Sequence, residues 1–338
     1  MSSRCFMNRV NHTQPLDHFY LELDDQSLAV VVGNWHSQCC ILGYVKYVPT
    51  RAQSTWRRSF INYERLLKVY NPEEVYKQAN WTIYVPFFDT KVPYIPVSRV
   101  LRVYDPTRRA LELHYKASDQ LEEKALCMLS LIEEGTGVLP GVTGSLLPGI
   151  HNVHVSDIDI VVYGSRNSRE VVEFVDNNRD VFKPLNETRL KAWSKNIAYS
   201  TGLSENEVLK YYRNWRRGCF ADLEYSIIYN DGTYKDVFLM PSYITRGIVR
   251  AVLEVHGDLR ALNYPSIGMV TNYRIVESRC KVDYDISYLM SYEALYVPGL
   301  HEGGVFEVSG LLQCSGVEET CRILVGSHEY RGFMKWLH

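Results

Sequence analysis

Gly144-Ser145, then residues 146–156, then Asp157-Ile158-Asp159-Ile160-Val161-Val162 form the stretch whose reading decides the fold. From Ile158 on, the run is apolar and β-branched, as a buried strand requires. Alternate side chains on a strand share a face, so Asp157 and Asp159 project together while Ile158 and Ile160 turn to the core. Two adjacent carboxylates repel and lose hydration, which is unfavourable unless something positive sits between them. Magnesium answers this, because it takes carboxylate oxygens together with phosphate oxygens. The pattern points to metal-assisted chemistry on a nucleotide. The competing reading makes the acids the polar face of a half-solvated strand and Ser145 an ordinary helix cap. Against it, the same-face series Val155, Asp157, Asp159, Val161 sets the acids among apolar neighbours.

Outward from this strand the chain divides into three parts, 1–115, 116–242 and 243–338. The first reads as β-rich. Leu28–Val32 and Cys40–Val48 are β-branched runs joined through Gly33-Asn34 as a hairpin, and Phe60–Val69 carries apolar residues at helical spacing. In the middle part a helix begins at Ser118, with Leu121, Ala125, Met128, Leu129 and Ile132 on one face and Gly135 as its stop. Asn167 or Ser168 can cap a helix running through Val175, and Asn186 another to about Tyr199. Ser204-Glu205-Asn206-Glu207 is a capping box that predicts a helix to about Arg217. Two strands follow, Phe220–Tyr229 and Tyr234–Leu239, joined at Asp231-Gly232. The last part returns to short strands, as in a small β-barrel.

The stretch Gly141-Val-Thr-Gly-Ser145 through Ser156-Asp-Ile-Asp-Ile-Val-Val-Tyr-Gly164 resembles the polymerase-beta-like nucleotidyltransferase superfamily. The β-rich flanks look like those of a group of predicted prokaryotic nucleotidyltransferases. The resemblance implies an α+β fold, a mixed sheet backed by helices between two β-rich domains. It implies that Gly144 and Ser145 open a helix and hold nucleoside triphosphate (NTP) phosphates. It further implies that Asp157 and Asp159 hold two Mg2+ ions with a third carboxylate from a later strand. Glu224 best fits that strand's centre, with Asp222 and Asp236 as the other candidates. The implied activity is transfer of a nucleoside monophosphate to an acceptor hydroxyl, an RNA or DNA end being the favoured acceptor. The other class of function is a nucleotide- or RNA-binding regulator with little turnover.

Phosphate needs cations. Lys183, Arg189, Lys191, Lys195, Lys210, Arg213, Arg216 and Arg217 stand against only Glu187, Glu205 and Glu207 in the same stretch. That is either a solvated helix face or a phosphate-contacting one. Arg166 and Arg169 follow the aspartate strand, and Lys191 and Lys195 lie one helical turn apart, which makes Arg166, Lys191 and Lys195 the phosphate candidates. His151 and His154 read as local hydrogen bonders. Gly135-Thr136-Gly137 follows a helix and lacks the third glycine of a dinucleotide fingerprint, and no P-loop or G-x-S-x-G is present.

The 338 residues carry a formal net charge of −2, so any nucleic-acid contact must come from a local patch. The 8 cysteines include no C-x-x-C pair and read as small buried hydrophobes, with a structural disulfide left open. The 25 tyrosines read mainly as half-buried β surface. No apolar run approaches the roughly 20 residues that span a bilayer. The polar N-terminus does not read as a secretory signal, and the expectation is a cytoplasmic protein without membrane partners.

Overall fold

A computed structural model describes residues 14–67 and 72–338. Cys5, the polar N-terminus and Val69 lie outside the described residues. The chain is mixed α/β, with an N-terminal sheet, a small central sheet and a C-terminal barrel.

The central sheet carries the aspartates. Its order is Gly141–Val142, Ile158–Tyr163, Leu223–Asn230, Arg217–Phe220, with the middle pair parallel and the outer pairs antiparallel. Ile158, Ile160 and Val162 are fully buried against Leu121, Ala125, Met128, Leu129 and Ile132 of the helix Gln120–Thr136 and against Val171 and Val175 of the helix Ser165–Asn177. Asp119 caps the first of these helices through Leu121 and Glu122 N–H, and Gly137 ends it in the left-handed region.

A further helix, Pro106–Tyr115, falls inside the stretch read as β-rich and packs Ala110 and Leu113 into this core. Asp105 caps it and Pro106 opens it, a local signal the strand-dominated reading passed over.

Several expectations are corrected, among them the Gly135 stop, which is Gly137, and the Asn167 or Ser168 cap, which is Gly164. Residues 61–65 form a strand, not a helix, because the alternation of Tyr63 (buried) with Asn62 and Glu64 meets a partner in Cys40–Thr50. The helix capped by Ser204 has its capping box but spans only Glu205–Leu209, since Tyr211 and Trp215 are drawn into two different cores. The hairpin turn is Ala221-Asp222, with φ of 46° and 68°, rather than Asp231-Gly232. Past Asp231 the chain crosses to Lys235–Asp236, which pairs in parallel with Trp35–His36. Leu28–Val31 and Cys40–Thr50 do pair antiparallel, but through a longer link than a Gly33-Asn34 turn.

The barrel closes in the order Ile244–His256, Ser266–Ser278, Ile286–Ser291, Thr320–Val325, Gly303–Ser315 and back to the first strand. Its interior holds Val249, Leu253, Leu289, Phe306, Val308 and Ile323, and Cys314 and Cys321 are joined there by a disulfide. The N-terminal sheet is fastened to it by Arg322. That guanidinium is fully buried between the rings of Phe87 and Tyr243, donates to Gln313 at 3.0 Å and to the Phe87 carbonyl, while Gln313 donates to the Phe88 carbonyl at 2.9 Å. Burial lowers its pKa to about 10, so it stays charged at neutral pH. Arg322→Met would strand these acceptors and is expected to cost about 2–4 kcal/mol. Urea unfolding checks this, and a loss under half a kcal/mol would show that Arg322 is not the fastening.

Candidate functional site

The aspartates converge where the central sheet meets the turn that follows Gly141–Val142. Thr143 N–H donates to the Asp159 carbonyl at 2.9 Å, which carries the strand edge into Gly144. Gly144 has φ of +63°, and a Cβ built there would lie 2.9 Å from both Cβ and Cγ of Asp159 and nearer still to its Oδ2. Only glycine lets the carboxylate lie against the backbone here. Ser145 Oγ donates to Ser156 Oγ at 3.1 Å, so the turn is tied to the residue before Asp157. Residues 144–149 are a series of turns rather than the start of a helix, which removes the expected helix N-terminus from this position.

Neighbouring side chains follow from the register. Arg217, Ser226 and Asp159 stand in one row across the sheet and share a face. Ser226 Oγ donates to Asp159 Oδ1. Because Ile158 pairs with Tyr225, Asp157 comes next to Glu224 in the adjacent row. Glu224 is engaged elsewhere, with Arg189 Nε at 3.5 Å and Arg217 NH1 at 3.6 Å. Asp222 sits in the hairpin turn, and Asp236 caps the short 3-10 turn Val237–Leu239 through Phe238 N–H. Asp157, Asp159 and Glu224 do not bring three ligand atoms within 4.8 Å of one another, so the expected third carboxylate is not in place beside the pair.

The expected phosphate cations are placed differently. Arg166 lies past the far end of Ile158–Tyr163, about 17 Å along the strand at roughly 3.3 Å per residue, and its side chain is 90% exposed beside Glu170. Lys191 and Lys195 are exposed on the helix Glu187–Thr201, two and six residues on from Arg189 and so turned away from the side facing Glu224. The residues that do flank the pair are Arg217 and Lys46. The sequence offered no local signal for Lys46, which arrives from the N-terminal sheet.

Asp157 and Asp159 are half-buried. The Asp159 charge first, and burial second, push the Asp157 carboxyl up to about 6, while Arg217 and Lys46 oppose the shift. Like-charged hard oxygens held together are a donor set that fits a magnesium ion. Among the described residues, the one group of three ligand atoms within 4.8 Å of one another is Asp119, Glu122 and His151. That group satisfies itself: Asp119 caps a helix and bonds His151 Nε2 at 2.7 Å, and Glu122 takes the Ser118 N–H and pairs with Arg109. A half-open apolar pocket of about 80 Å³ lies between Trp35, Phe88, Tyr264 and Pro265, and neither aspartate lines it.

Comparison with protein-family models, with curated proteins and with solved structures found no match. Among the described residues, no helix is long and apolar enough to cross a membrane.

The raised Asp157 carboxyl has a signed consequence for stability. Between pH 3.8 and about 6 the folded chain holds a proton that the unfolded chain releases. This contribution to the metal-free protein is therefore full below pH 3.8 and is lost as pH rises through about 6. Asp157→Asn removes the repulsion, so its melting temperature in chelator should exceed that of the wild type at pH 7.5, with the gap closing towards pH 4. Melting curves that run parallel across this range would contradict the assignment.

Proposed function

We propose that the chain is a magnesium-dependent nucleotidyltransferase that moves a nucleoside monophosphate from an NTP to an acceptor hydroxyl. The observation that carries this reading is the like-charged Asp157–Asp159 pair, with Asp159 pressed against Gly144, an arrangement that a divalent ion would relieve. In this reading Asp157 and Asp159 hold the ion, and Glu224 completes a second ion's shell only by leaving Arg189 and Arg217. Bound magnesium supplies charge neutralisation of the triphosphate and acidifies an acceptor hydroxyl. The chain itself contributes positioning. Ser226 holds the Asp159 carboxylate, and Arg217 supplies positive charge on the same face. The Gly144-Ser145 turn would offer backbone N–H groups to phosphate oxygens, while the Ser145 hydroxyl is given to Ser156. Rate enhancement in such a site comes from orientation and prearranged charge.

An RNA or DNA end remains the favoured acceptor, drawn from the basic stretch between Lys183 and Arg217. The barrel lends little to this, because its open concavity around Tyr273 and Tyr284 is lined by Asp283, Asp285 and Glu319, which repel a phosphate backbone. The pairing of Glu224 with two arginines favours a second reading, a nucleotide- or RNA-binding regulator with little turnover.

One experiment separates these. The chain is incubated with magnesium, labelled NTPs and total RNA, and the products are resolved into RNA, protein and small-molecule fractions. Label in one fraction, lost in Asp157→Ala and Asp159→Ala, is the expected result. Triphosphate binding without label in any fraction would favour the regulator, and full transfer by Asp157→Ala would sink the site.

A further inference from the structure

The N-terminal sheet does not merely flank the aspartates. His18 accepts from Thr143 Oγ1 at 2.7 Å and Asp17 accepts from Tyr163 OH at 2.7 Å, so the segment leading into Tyr20–Leu23 runs along the aspartate strand. Tyr20 and Tyr47 pack on Leu147 and Ile150, in the stretch that begins at Gly144.

Into this junction the sheet delivers two cations. The pairing of Leu28–Val31 with Cys40–Thr50 slips between Leu28, opposite Tyr47, and Ala29, opposite Val45. Lys46 is the extra residue of that bulge, a distortion that re-aims a side chain. Its Nζ donates to Tyr20 OH at 2.9 Å and lies 5.6 and 5.8 Å from the ring centres of Tyr20 and Tyr47. Arg65 pairs with Tyr47 on the next strand, and its Nε is buried without a hydrogen-bond partner. Among the described residues neither cation meets a carboxylate within ion-pair distance. Arg189 and Arg217, by contrast, are occupied by Glu224. The field agrees with this placement. The Tyr20 hydroxyl is acted on by Arg65, Asp159 and Asp157, and the Tyr47 hydroxyl by Lys46, Arg65 and Asp159.

We propose that Lys46 and Arg65 form the polyphosphate-binding wall of the aspartate site, so that the triphosphate of a nucleotide lies between the bulged strand and the Gly144-Ser145 turn. This deepens the nucleotidyltransferase reading and rests on it. Lys46 meets non-bridging oxygens as a point charge and Arg65 through its guanidinium fork. The wall explains why the cations expected after the aspartate strand are absent from its vicinity: the wall's cations lie 111 and 92 residues before Asp157.

The test measures binding of inorganic tripolyphosphate and of ATP, each with magnesium, by calorimetry. Lys46→Gln/Arg65→Gln should weaken both by about 100-fold or more, the scale of two lost charge-assisted hydrogen bonds. Lys46→Arg and Arg65→Lys should retain most of the affinity. A melting-temperature rise on adding magnesium alone should persist in all variants, which shows that they are folded and keep the ion site. Wild-type affinity in the double variant would overturn the wall, as would loss of affinity in Arg189→Gln instead. A wild-type chain that binds neither probe also overturns it. Label transfer with an unchanged KM for NTP in the double variant would sink the wall and leave the transferase reading standing. Charge-dependent tripolyphosphate binding with no transfer to any acceptor would do the reverse.

Discussion

Repulsion between the Asp157 and Asp159 carboxylates is the constraint on which the surrounding structure depends. A bare like-charged pair inside a half-buried junction is costly, and each neighbour moderates that cost in a different way. Gly144 gives up a side chain so that Asp159 can lie against the backbone. Ser226 lends a hydroxyl proton. Arg217 and Lys46 lower the field from two sides without forming a direct pair with either acid. The outcome is a strand end that is less stable than it could be. Proteins keep such compromises mainly where binding or chemistry relieves them.

The junction also shows why two sheets distant in sequence belong to one site. The Asp17–Tyr20 segment is strapped to both ends of the aspartate strand, at Tyr163 and through Thr143 at Asp159. Asn34 adds a tie to Asn230 and to Asp231, at 3.3 and 3.0 Å. With that edge fixed, a one-residue bulge is enough to send Lys46 towards the acids rather than along the sheet.

What was legible in the sequence was local. The alternation from Asp157 to Val162, the Gly144-Ser145 turn, the Asn186 cap and the Ser204 capping box are set by residues within a few positions of each other, and each is present. The failures were places where a distant partner decided. Ile61–Arg65 has apolar residues at helical spacing around it, yet pairing with Cys40–Thr50 makes it a strand. Asp231-Gly232 is the stronger turn sequence, but Ala221-Asp222 takes the hairpin because the register of Ser226 with Arg217 and Asp159 fixes where the strands end. The phosphate candidates Arg166, Lys191 and Lys195 were chosen by nearness along the chain, which a strand running away from the site and a helix turning on its axis both defeat. Closure of the barrel and the arrival of Lys46 and Arg65 depend on pairings that no short window contains.

The Arg322 fastening bears on how far the N-terminal sheet and the barrel can move apart. With a guanidinium flattened between Phe87 and Tyr243 and bonded to the Phe87 carbonyl, the N-terminal sheet and the barrel share a dry joint rather than a hinge. Swinging one away from the other would expose a buried charge and several aromatic rings at once. The turn Val153-His154-Val155 just ahead of Asp157 is open to solvent on the acids' side of this joint, a doorstep of loop with bare valines rather than a jaw of domains.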